Sequence, residues 1–235
     1  MKGSLLSRRS LLKATAAGIG GVGLASFGGA MGVSAAEGGD DPQTILNLAA
    51  TAETLAVTFY YSAITAAQFD LDDADVAYLK AALLAEKYHL DFLTANGGKS
   101  LTDKFYVPAT LLSDPGVFVQ VGTTAETAFV GAYLAATRRF ADLGLPRLAA
   151  TTAQHAVSEG QHLALIRAIG GLLPNNLALP LPIYLDVSNA VPTLAPFLQG
   201  GQGFIGPVSM PSAAQITANT AGIRLDATKP YVAAY

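Results

Sequence analysis

Four glutamates recur as two pairs, Glu53 with Glu86 and Glu126 with Glu159, and each pair is separated by 33 residues. In both pairs the second glutamate is followed three residues later by histidine, giving Glu86-x-x-His89 and Glu159-x-x-His162. Residues three apart share one face of an α-helix, so each motif can aim a carboxylate and an imidazole at one point. The chain has five glutamates and three histidines, and only Glu37 and His155 fall outside this pattern. A chain using glutamate for solubility would scatter it. Here the glutamates stand among Ala, Leu and Phe, where unpaired carboxylates could be buried only with cations or protons beside them. The pattern therefore asks for four helices whose glutamate faces converge on positive charge.

Apolar positions follow a helical period from Pro42 to Gln68, with Ile45, Ala49, Ala52, Leu55, Phe59 and Ala63 on one side. A second helix begins after Asp72, a suitable N-cap, and stops at Asn96-Gly97-Gly98. The third starts at about Val117 or Thr123 and runs to Asp142; the fourth runs from Pro146 to Gly170-Gly171. Short links pair helices one with two and three with four. The stretch after Gly97 is long enough to run back along the bundle, since about 11 extended residues cover a helix of about 24. Glu126 has a rival reading as the last member of a capping box opened by Thr123.

There is no cysteine, so a metal could be held only by nitrogen and oxygen ligands. Charged residues make up 13% of the chain, against about a quarter on average. Without Lys2, Arg8, Arg9 and Lys13 the formal charge moves from −3 to −7, which speaks against a nucleic-acid partner.

This constellation resembles the ferritin-like superfamily, most closely its exported ferritin-like domain proteins, including those linked to desiccation. The resemblance covers about 45–171 and implies an all-α fold: a four-helix bundle with one long crossover. It implies two iron or manganese ions. Glu86 and Glu159 would bridge them, and Glu53 with His89 and Glu126 with His162 would be the terminal ligands. Tyr60 and Tyr133 each follow a ligand glutamate by seven residues. They read as donors to a ligand carboxylate or as electron-donating tyrosines; the plainer reading is ordinary core aromatics with satisfied hydroxyls. His155 reads as a proton relay, a third nitrogen ligand or, more plainly, a partly exposed histidine, and Asp91 and Gln161 are expected to be neighbours of the ligands. Arg138 and Arg139 are expected to complement the helix dipole.

Ser7-Arg8-Arg9-Ser10-Leu11-Leu12-Lys13, an apolar stretch and Ser34-Ala35-Ala36 make residues 1–36 resemble a twin-arginine signal peptide. The expectation is export by the twin-arginine translocase to the periplasm, cell wall or outside. Residues 37–42 read as a linker, and 43–171 as the bundle. From 172 to 235, frequent Pro and Gly exclude a long helix, though 188–199 and 211–221 suit short ones. This extension is apolar enough to pack on the bundle or on a neighbouring subunit of a homo-oligomer.

Two functions are open. In one, the centre reacts with a small oxidant such as oxygen or peroxide, as a ferroxidase, peroxidase or manganese catalase. In the other, the bundle is a stress or desiccation protein that only binds metal. Iron storage is disfavoured because no second acidic cluster is present. A metal-free bundle would leave the four glutamates exposed or protonated.

Overall fold

The computed structural model describes residues 39–234; the expected signal peptide and the start of the expected linker lie outside them. Four long helices form the body: α1 (Pro42–Ala66), α2 (Asp73–Ala95), α3 (Pro115–Asp142) and α4 (Pro146–Ile169). Each begins with Pro or an acid-capped turn. Asp41 caps α1 through Thr44 N (2.9 Å), and Asp72 caps α2 through Asp75 N (2.8 Å). Asp114 caps α3 through Gly116 N and Val117 N, so that helix starts earlier than its apolar period suggests. Glu126 consequently lies about three turns inside α3, and the capping-box reading falls.

The Thr44 backbone N–H holds the Asp41 carboxyl below its ordinary value. A group with a depressed folded pKa adds stability above its unfolded value and loses it as the pH falls through the folded one. Asp41→Ala is therefore expected to cost about 1 kcal/mol at pH 7. In urea melts the difference should fade below the unperturbed value of 3.8, where wild type loses the same cap.

The helices pack as two hairpins, α1 on α2 and α3 on α4, while α2 and α4 touch along only a short stretch. The core runs from Leu79 and Leu83 of α2 through Phe59 and Tyr60 of α1 to Phe118 and Ile166. Phe118 stacks on Phe59 with centroids 5.0 Å apart and planes at 4°. Gly122 lets α3 come close, since a Cβ there would stand 3.0 Å from Ile166 and 3.1 Å from Phe59.

The crossover carries β1 (Lys104–Pro108), which no helical period could reveal. It pairs antiparallel with β2 (Phe204–Ser209), so the C-terminal extension packs on the bundle through a two-stranded sheet. Between them the extension forms a 3-10 turn (Val187–Ala190) and α5 (Val191–Gln199), and after β2 comes α6 (Ala213–Asn219). Both short helices fall where the sequence placed them.

Arg138 and Arg139 do more than face the helix dipole. Arg139 Nε donates to Asp40 O at 2.7 Å, while Arg138 Nη2 donates to Leu185 O at 2.8 Å and to Asp186 at 3.0 Å. No helix among the described residues is long and apolar enough to cross a membrane.

Candidate metal centre

Each long helix contributes to one buried point: Glu53 from α1, Glu86 and His89 from α2, Glu126 from α3, Glu159 and His162 from α4. The four glutamates are at most 2% exposed and the two histidines at most 7%. The exposed-glutamate alternative is thereby excluded.

The six side chains form two overlapping groups, Glu53–Glu86–His89–Glu159 and Glu86–Glu126–Glu159–His162, with ligand atoms in each within 4.8 Å of one another. Glu86 and Glu159 belong to both. They are the carboxylates to which the resemblance assigns the bridging role. His89 Nδ1 stands 3.1 Å from Glu159 and 3.4 Å from Glu86; His162 Nδ1 stands 2.7 Å from Glu86 and 3.1 Å from Glu159.

These short approaches are mostly not hydrogen bonds. Nine buried side-chain polar atoms among the described residues lack a hydrogen-bond partner, and five are here: both oxygens of Glu86, His89 Nδ1, Glu126 Oε2 and Glu159 Oε1. Close approach without hydrogen-bond alignment is what results when lone pairs converge on shared points. Buried orphans are costly unless something else meets them. The donor set suits the group. Oxygen with imidazole nitrogen and no thiolate fits iron or manganese, and four carboxylates balance two divalent cations.

Electrostatics agree. Burial pushes the Glu53 carboxyl well above its usual range, and Glu86 and Glu159 push it further. Glu126 is raised likewise, by burial and by Glu86. Glu86 goes the other way: burial opposes its charge, but the imidazole of His162, with Glu53 and His89 close by, outweighs it. Burial also opposes charge on both imidazoles, yet Glu53 beside His89 and Glu86 beside His162 raise them well above the ordinary value. The pocket draws positive charge, as protons or as metal.

The tyrosines cross between halves. Tyr60 Oη donates to Glu126 Oε1, and Tyr133 Oη donates to Glu53 Oε1. Seven-residue spacing places each near its own glutamate, but each serves the glutamate of the other half. Burial, then the facing carboxylate, raises both phenols well above their usual value, so both remain donors.

His155 corrects the expectation of partial exposure. It is 5% exposed, lies on Tyr133 at 5.0 Å and packs against His89 at 4.5 Å between centroids. Its Nδ1 donates to Thr151 O at 2.9 Å. Burial and His89 lower its pKa to about 4, leaving it neutral, and it falls outside both ligand groups. Its place one turn before Glu159 set its face; the cover came from α2 and α3. Asp91 is not a neighbour of the ligands but pairs with Lys87 on the surface. Gln161 is exposed and hydrogen-bonds to no ligand.

The model of the ferritin-like domain family matches residues 41–171, more than half of the chain. No curated protein and no solved structure matches. The matched span begins at the cap of α1 and ends just past α4, enclosing all six converging side chains. The chain belongs to the ferritin-like domain family.

Proposed function

We infer that this is an exported ferritin-like protein whose bundle holds two iron or manganese ions and reacts with oxygen or peroxide. One observation carries the reading: two buried carboxylate–imidazole groups share Glu86 and Glu159, with five side-chain atoms left for a cation to meet. When bound, the metals would supply electron exchange with a small oxidant. The chain's own groups do the rest. Tyr60 and Tyr133 fix the orientation of Glu126 and Glu53 by donating to one oxygen each, which leaves the other oxygen for the metal. Neutral His155 packs beside His89 without adding charge. Leu, Phe and Ala around the site exclude water on the α1 and α3 sides. Twin-arginine export, which carries folded proteins, fits a chain that must keep its metals on the way to the periplasm, cell wall or exterior.

Elemental analysis of the mature protein tests this. About two iron or manganese per chain is expected, together with near-complete loss in Glu86→Ala/Glu159→Ala. Metal far below one per chain in folded wild type would overturn the reading. Two metals without turnover of oxygen or peroxide would favour the non-catalytic stress protein.

A further inference from the structure

Where α2 and α4 separate, an open groove of about 780 Å³ lies between them. Its walls include Tyr78, Ala81 and Ala85 of α2 with Ser158, Ala164 and Leu165 of α4. Residues 224–230 of the C-terminal extension line it as a strap. Tyr88 Oη donates to Thr228 O, and the Tyr231 and Val232 amides donate to Gln154 Oε1 (2.6 Å) and Thr151 Oγ1 (2.9 Å). The strap is thus tied to both helices, which holds this part of the groove's lining in place.

A volume of this size is within the range of small-molecule sites, about 300–1,000 Å³. It far exceeds what oxygen or peroxide needs, given that a water occupies about 30 Å³ in the liquid. α2 turns Leu79 and Leu83 to the core but Ala81, Ala82 and Ala85 to this gap, between Tyr78 and Tyr88, so space is left by the small side chains.

The lining has a sign. His89 and His162 both reach the groove. Each turns Nδ1 to the carboxylates, which leaves the opposite ring edge, with Nε2, toward the groove. A metal-bound imidazole carries its proton on that second nitrogen and normally donates it to a partner. No described residue accepts a hydrogen bond from either Nε2. The strap adds Arg224 and Lys229, and Asp226 is the only acid in the lining. Donors and cations over apolar walls suit an organic anion.

We propose that the groove between α2 and α4 binds an organic carboxylate with an apolar body, its charge met by the His89 and His162 N–H groups and by Arg224 and Lys229. The proton placement on the two imidazoles rests on the di-metal reading; the binding rests on the groove. Isothermal titration of the metal-loaded chain with octanoate, 1-octanol and octylamine tests it, with metal content measured on every sample. Octanoate should bind one per chain, about tenfold or more tighter than either analogue, as charge-assisted hydrogen bonds allow. Arg224→Gln/Lys229→Gln should weaken octanoate about tenfold while leaving octanol binding and the metals unchanged. Ala85→Trp, which fills the groove, should abolish binding of all three. Octanol binding as tightly as octanoate, or a charge variant that binds octanoate like wild type, overturns the proposal even with two metals present. A folded chain that lacks metal yet keeps the octanoate preference sinks the metal reading and supports the groove.

Discussion

Stripping the proposed di-metal centre with a chelator should lower the melting temperature of the protein by about 15–30 °C, and restoring iron or manganese should recover it. Each ion bound by the native state and not by the unfolded chain adds about 4 kcal/mol when free metal exceeds the dissociation constant a thousandfold. Two sites then contribute about 8 kcal/mol, and a chain of this size shifts by about 2–4 °C per kcal/mol. The physical cause lies in the orphaned atoms of Glu86, Glu126, Glu159 and His89, which only a cation or a proton can meet. Differential scanning calorimetry with and without chelator reads the effect directly. An unchanged melting temperature, with metal confirmed absent from the stripped sample, would mean that protons satisfy the cluster as well as metals do. The centre would then contribute nothing to the fold.

Phe118→Ala should destabilise the bundle by about 3–5 kcal/mol, a fall of roughly 10 °C in melting temperature, while the chain keeps its metals. Phe118 is fully buried, stacks on Phe59 and meets Phe69 at 5.3 Å. It therefore joins α3, α1 and the link that follows α1. Truncation leaves a cavity that the helices cannot close without breaking the stack. The ligands sit on the neighbouring turns, with Tyr60 edge-on to Phe59 at 5.3 Å, so the centre is expected to loosen before it is lost. Thermal melts alongside elemental analysis separate the two effects. A variant that loses its metals with no change in melting temperature would contradict this division between core and centre.

The glutamate–histidine pattern was legible because it is written at helical spacing in a chain that uses those residues for almost nothing else. The four helices and the N-cap at Asp72 were legible for the same local reason. What escaped depends on contacts distant in sequence. β1 and β2 pair residues a hundred positions apart, and neither strand is long or apolar enough to declare itself. The start of α3 was obscured because Pro115-Gly116 reads as a turn until Asp114 is seen capping it. Spacing placed Tyr60 and Tyr133 on the ligand faces, but only the three-dimensional arrangement decided that each reaches the other half's glutamate. His155 looked exposable because its own helix says nothing about the cover supplied by α2 and α3.

Arg138 and Arg139 stand side by side at the end of α3, yet they hold segments nearly 150 residues apart: the run into α1 and the bend before the 3-10 turn. Asp40 closes the loop by accepting from Ser188 N at 2.8 Å. The fraying of that one helix end would release both segments together. The beginning of the bundle and the start of the extension thus form a single cooperative unit of local unfolding, although the chain connects them only through all four helices.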